Sequence, residues 1–231
     1  MARQQPERRD PPEIWLCLRY ARLGPARFTS ARDIARLLER ATKRAGLPVA
    51  YSSGFSPHQR ISYAFPAPTG AASHAEYALV GLTNVFPAEQ LRDALNAQLP
   101  DGVQALAAEL TDDRHLPHRL EVSAWRAEWP LFDELPGLAQ AVQSFMDSPD
   151  VIIDRPAKSQ TTRQDVRGAV VSMEADDGLI VVLKQAEPLI RPSDVLAGLT
   201  GFCPALPDWG RPLLTRLAQG TLDECRVANI V

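Results

Sequence analysis

The sequence predicts an α+β protein made of two successive half-domains, each running strand–helix–strand–strand–helix–strand. Three observations lead there. Short apolar-rich segments with partial alternation outnumber helical patterns, capped amphipathic helices fall between them, and the same order can be traced again after a polar break. The 231 residues are 45% hydrophobic and 23% charged, ordinary globular values that suffice for a packed core. The expected boundaries are a disordered leader at 1–12, a first half at 13–111, a linker at 112–119, a second half at 120–220 and a tail at 221–231.

Ile14 to Tyr20 is an apolar-rich strand with its exit at Gly24-Pro25. Thr29-Ser30-Ala31-Arg32-Asp33 starts a helix, with Ser30 as cap and Asp33 completing a capping box. Ile34, Leu37, Leu38, Ala41 and Ala45 recur at helical spacing, Arg36, Arg40, Lys43 and Arg44 lie largely off that stripe, and Gly46 and Pro48 end the helix. Val49 to Ser53 reads as a short strand that runs into a long loop at 54–73. A strand at His74 to Leu82 follows, then a helix opened by Phe86-Pro87-Ala88-Glu89 and closed by Pro100-Asp101-Gly102, and a strand at Val103 to Leu110. That order is the ferredoxin-like split βαβ unit, with two helices on one face of an antiparallel sheet.

The second half repeats it less clearly. Leu120 to Trp129 is a strand, Leu135 to Met146 a helix and Val151 to Asp154 a short strand. Val166 to Glu174 and Leu179 to Leu183 form a hairpin across Asp177-Gly178; a short helix at Pro192 to Leu199 and a strand at Leu213 to Gln219 complete it. One strand is left over, so the match is imperfect.

Composition limits the function classes. Cys17, Cys203 and Cys225 are few and far apart, which suits buried small hydrophobes and a reducing compartment and lacks the short spacings of a metal or cluster site. The polar start lacks the apolar run of a signal peptide, and no segment has the roughly 20 apolar residues of a membrane helix. The expectation is a cytoplasmic protein with neither cofactor nor metal. Net charge is −3, yet residues 1–70 carry twelve Lys and Arg against five Asp and Glu, so the first segment is basic on an acidic body. A basic segment attracts a polyanion locally; equally, these charges can be solvated helix faces.

Two passages combine side chains that suit RNA. The first, Gly54-Phe55-Ser56-Pro57-His58-Gln59-Arg60-Ile61-Ser62-Tyr63, sets aromatics beside a guanidinium in a long connection, chemistry that suits base stacking and phosphate contact. Arg27, Tyr51 and Ser52 lie on the elements that lead into it. The competing reading is a loop folded over a sheet edge, its aromatics buried and Arg60 paired to an acid. The second is Lys158 to Arg167, where Arg163, Gln164 and Arg167 can hold a phosphate or base edge and Asp165 can orient an arginine; a solvated loop is the alternative. His58 titrates in the range of an acid–base catalyst. His115 and His118, with Pro117 between them and Asp112 and Asp113 upstream, read as exposed linker rather than metal ligands. The chain shows no Gly-rich phosphate loop and no Ser–His–Asp order, which weighs against a self-contained enzyme.

Several motifs occur together in order: Arg19-Tyr20, Gly24-Pro25-Ala26-Arg27-Phe28-Thr29-Ser30, Leu38-Glu39-Arg40-Ala41, Arg44-Ala45-Gly46-Leu47-Pro48-Val49-Ala50-Tyr51-Ser52 and Gly54 to Ser62. Pro68, Gly70, Ala75-Glu76-Tyr77, Arg163-Gln164-Asp165-Val166-Arg167 and Arg191-Pro192-Ser193-Asp194-Val195-Leu196 follow. Over roughly residues 14–220 the chain thereby resembles the radical SAM-linked (radical SAM-associated) protein family of uncharacterised function. Members of that family stand alone or are appended to a radical S-adenosylmethionine protein, often encoded near ribosomal-protein and RNase E/G genes. Without a cysteine triad for the cluster, this chain resembles the stand-alone form. The resemblance implies an accessory or substrate-recognition role beside a radical SAM enzyme, with RNA or a ribosome-related target. Two other functions stay open. One is a metal-independent RNA endonuclease of the tandem ferredoxin-like type, with His58 and Tyr51 as its catalytic candidates. The other is a protein–protein adaptor whose acidic second half docks a basic partner.

Overall fold

The computed structural model describes residues 9–156, 161–223 and 226–231. The chain divides into two compact units at His118/Arg119, and in each of them the named strands pair antiparallel.

The first unit contains β1 (Ile14–Arg22), α1 (Ala31–Arg44), β2 (Ile61–Ala64), β3 (Ala72–Leu82), α2 (Ala88–Asn96) and β4 (Val103–Thr111). β1 lies between β4 and β3, and β2 pairs along β3 from Ala64↔Tyr77 to Ile61↔Val80, so the strand order is β4-β1-β3-β2. Leu18 and Tyr20 of β1 cluster with Ile34, Leu38 and Ala41 of α1, Leu95 of α2 and Val103 and Ala105 of β4. One set of alternate strand residues therefore meets both helices, which puts the helices on the same face. Ser30 caps α1 as the sequence reads, its Oγ accepting from the Asp33 amide at 3.2 Å, while the Asp33 carboxylate accepts from the Ser30 hydroxyl at 2.7 Å in place of the capping-box bond from the Ser30 backbone amide. β3 is buried at every position but His74, so its two faces do not divide into wet and dry.

The second strand is displaced from its expected place. Val49 to Ser53 makes two isolated bridges, Val49↔Leu82 and Tyr51↔Gln59, and the ladder instead forms at Ile61–Ala64, inside the stretch read as loop. Ile61 and Tyr63 alternate with Ser62 and Ala64, a strand pattern too short to stand out between Arg60 and Pro66.

A one-turn helix, α3 (Leu116–Arg119), ends the linker. The second unit then runs β5 (Val122–Glu128), α4 (Leu138–Asp147), β6 (Ile152–Pro156), β7 (Thr161–Asp165), β8 (Val170–Ala175), β9 (Leu179–Lys184), α5 (Pro192–Leu199), β10 (Leu213–Asp223) and β11 (Arg226–Asn229). Its strand order is β10-β5-β9-β8. β6 and β7 form a separate two-stranded sheet between α4 and β8, and this hairpin accounts for the left-over strand. Thr161–Asp165, read from the sequence as polar loop, is a strand because its backbone pairs with β6; its side chains remain mostly exposed, so no hydrophobic signal marked it. Residues 226–229, within the expected tail, pair with the end of β10. Among the described residues no helix is long and apolar enough to cross a membrane.

Candidate nucleic-acid interface

The densest positive charge lies on α1. Arg32, Arg36, Arg40 and Arg44 are spaced four apart, and all four are exposed. At about 1.5 Å rise per residue this places guanidinium-bearing positions roughly 6 Å apart along one row. Asp33, 3.7 Å from Arg36, is the one carboxylate that pairs with the row among the described residues. The C-terminal end of the row is shaped as well as charged: Arg40 and Arg44 line a groove of about 370 Å³ with Leu37 and residues 97–100, and Arg44 donates to the Gln98 carbonyl at 2.6 Å. The helix reading found the exposed Arg36, Arg40 and Arg44 but not the row, because Arg32 lies in the first turn beside the cap.

The segment 51–60 folds as a narrow hairpin on the end of β3. Ala50 donates to Gly81 O, Gly81 to Arg60 O and Arg60 to Ala50 O, each at 2.8 Å. Ser52 N donates to His58 O at 2.8 Å while Ser52 Oγ accepts from His58 N at 3.0 Å, so Ser52 closes the loop with its side chain. Gln59 exchanges a hydrogen bond with Thr42 of α1, which ties the hairpin to the arginine-bearing helix. At the tip Phe55 is 72% exposed and Ser56 is exposed as well. Arg60 reaches Tyr51 O at 3.5 Å and makes no ion pair among the described residues. Phe55 at the tip is thus exposed and Arg60 lacks an acid partner among the described residues, whereas the following stretch does cover a sheet edge, with β2 paired along β3 and Tyr63 and Phe65 half-buried, as the loop-over-edge alternative has it. Tyr51 carries the Arg9 guanidinium 5.3 Å from its ring centre, and the Arg9 amide donates to Ser53 Oγ.

The expected side chains do not all gather at one place. Arg27 is held at the opposite end of β3: its Nε donates to Gly70 O, just before β3 begins, whereas Ala50 and Arg60 pair at Gly81. Arg27 therefore neighbours the 54–73 loop as expected, but at its far end; Ser73 to Gly81 spans roughly 26 Å of extended strand, which separates it from the 51–60 hairpin. Tyr51 pairs with Gln59, so Ser52 pairs with His58, and adjacent strand residues face opposite ways. Tyr51 and His58 therefore project to opposite faces of the hairpin. His58 is exposed and its ring makes no hydrogen bond among the described residues. Among the described residues no group of three or more His, Cys, Asp or Glu side chains is placed to hold a metal.

In the second unit, Arg163, Gln164 and Asp165 line a pocket of about 540 Å³ with Thr162, Lys184 and Glu187. Lys158, Ser159 and Gln160 lie outside the described residues. Arg163 is exposed and makes no ion pair among the described residues. Gln164 Oε1 accepts from Arg155 at 3.2 Å. Asp165 Oδ1 accepts from the amides of Val151 (3.0 Å) and Arg167 (2.9 Å), so it organises backbone and orients no guanidinium. Arg167 spends its donors on Met146 O and Val170 O and is a structural clamp, a role the string of polar letters does not distinguish from ligand binding. Lys184, which donates to Gly168 O at 3.3 Å, joins the pocket from β9 and escaped the sequence reading because it ends an apolar strand.

Another arginine missed in the sequence is Arg22, 1% exposed, which donates to the carbonyls of Thr29, Ala67, Pro68 and Ala71 and so shapes the 65–71 segment. Burial, then the nearby Glu39 charge, pushes the Tyr63 hydroxyl pKa upward; the hydroxyl donates to Ala35 O of α1.

No curated protein matches the chain. Residues 16–192 match the model of a family described as an uncharacterised protein conserved in bacteria, so this chain is a member of the DUF2344 family.

Proposed function

We propose that this protein is an accessory, substrate-recognition protein that holds single-stranded RNA, or a ribosome-related RNA target, for a partner radical SAM enzyme in the cytoplasm. The observation that carries the RNA reading is the exposed row Arg32, Arg36, Arg40 and Arg44, with one carboxylate against four guanidiniums. Like charges at i,i+4 destabilise a helix by roughly 0.2–0.5 kcal/mol per pair, a cost that a bound polyanion removes. The hairpin tied to this helix supplies what the row lacks: Phe55 for stacking and Arg60 for phosphate. The radical SAM partner rests on the family resemblance alone, and both units are read as ferredoxin-like from their β4-β1-β3-β2 and β10-β5-β9-β8 orders.

The test is fluorescence anisotropy of labelled single-stranded RNA across a salt series. Each phosphate contact on a single strand contributes about 0.7 to the log–log salt slope, so an Arg36→Gln, Arg40→Gln, Arg44→Gln variant should lose about 2 from it. Phe55→Ala should weaken binding with the slope unchanged. Absent or salt-insensitive binding by the unmodified protein sinks the proposal.

A further inference from the structure

A second, chemically opposite site lies in the second unit. Where β5 ends, Trp129 forms the floor of a pocket of about 660 Å³, and its indole is fixed by donation to Gly210 O at 3.1 Å. Trp209, buried behind the lining, meets Trp129 edge-on at 5.7 Å and Phe132 in a tilted contact at 6.4 Å, so it backs the two aromatic rings that line the pocket. Phe132 is 39% exposed and Leu213, also lining it, 45% exposed, while the adjacent Leu131 is 92% exposed. The β8–β9 turn brings Asp176 and Asp177 to the rim, and it can do so because Gly178 packs against Ala127 O, where a Cβ would sit 2.5 Å away.

The charged residues that line the pocket are all acidic. Asp133, Asp176 and Asp177 make no ion pair among the described residues, and Glu128 meets Arg126 only at 4.0 Å. No Lys, Arg or His is among the lining residues. A hydrophobic pocket alone would take any apolar side chain, and carboxylates alone would take any cation. Together they favour a planar, weakly hydrated cation that can stack on a ring and pair with a carboxylate at its edge, which describes a guanidinium. The exposed Leu131 and Leu213 extend the surface for an apolar neighbour of that arginine.

We propose that this pocket binds an arginine-bearing segment of a basic protein partner. The site is independent of the RNA reading: it lies in the other unit and selects the opposite charge.

The experiment is anisotropy of a fluorescein-labelled peptide carrying two arginines beside a leucine, titrated with the full chain. A citrulline-for-arginine peptide and spermidine serve as controls. The arginine peptide should bind, and the citrulline peptide should not. Asp133→Asn, Asp176→Asn, Asp177→Asn together should weaken binding by at least about tenfold, a loss of roughly 1.4 kcal/mol. Phe132→Ala, which leaves every charge in place, should weaken it too, with thermal melts confirming that both variants fold and RNA affinity unchanged. Unaltered binding by the triple variant or by Phe132→Ala overturns the proposal, as does equal affinity for citrulline. Competition by spermidine at matched charge would reduce the site to an acidic surface. Self-association of the chain lost in the triple variant would make the occupant a second copy instead.

Discussion

Asp165 shows how a polar residue can look like a ligand and act as a brace. Its carboxylate accepts the partly buried Val151 amide, which would otherwise lack a partner, and the exposed Arg167 amide, where β6 begins and β7 ends. Losing an acceptor from such groups costs about 1–3 kcal/mol. Asp165→Ala should therefore lower the unfolding free energy of the protein by about 1 kcal/mol or more, read as a lower denaturant midpoint, while Arg163→Ala, at an exposed side chain, should leave it within about 0.5 kcal/mol. Equal midpoints would return Asp165 to the list of ligand candidates. Tyr63 gives a pH-dependent counterpart. Its folded pKa is raised by burial and by Glu39, so the folded state holds the proton more tightly than the unfolded state does. The stabilisation this represents is complete below the ordinary value of 10.0 and is lost as pH rises beyond it. Thermal melts should show an alkaline decline that Tyr63→Phe makes shallower; an identical decline in both proteins would show that Tyr63 does not drive it.

Among the elements, α1 is the clearest case of stability set against a surface property. Its buried stripe and its cap drive folding, while the row of like charges works against the helix. Arg40→Glu turns the repulsions with Arg36 and Arg44 into attractions, and should stabilise the protein by about 0.8–2 kcal/mol while weakening RNA binding. A variant that loses stability instead would mean that Arg40 is held by contacts other than its groove. The turn between α2 and β4 depends on a different constraint. Gly102 has φ of +82°, and a Cβ there would lie 2.6 Å from Leu23 O, whose own residue donates to Gly102 O at 2.7 Å. Gly102→Ala must strain or displace that contact, a cost of about 1–3 kcal/mol that equilibrium unfolding would read. Legibility in the sequence followed length and periodicity. α1, β1 and α5 were found because each carries its own pattern and punctuation. β2, at four residues, and β7, with exposed side chains, are strands only because a neighbour offers a ladder.

For the whole molecule the governing quantity is the division of charge. Residues 1–70 are basic and the remainder acidic, within a net charge of −3. Such a chain should gain RNA affinity with RNA length only until α1 and its hairpin are covered, because further phosphates meet an acidic surface. Affinity that climbs steadily with length would show a far wider basic track. The sequence by itself determined the α+β class, the Ser30 cap of α1, the charge division and the candidate segments, because periodicity, capping chemistry and charge are local properties of the chain. Only the tertiary structure decided what the candidate side chains are free to do. It tied Arg27 to Gly70, used Ser52, Asp165 and Arg167 as braces, set Tyr51 and His58 on opposite faces, and brought Trp129, Phe132 and the Asp176–Asp177 turn around one pocket. The reason is that a donor or acceptor is available to a ligand only if no backbone group has claimed it, and those partners are assigned by strand register and packing between residues distant in sequence.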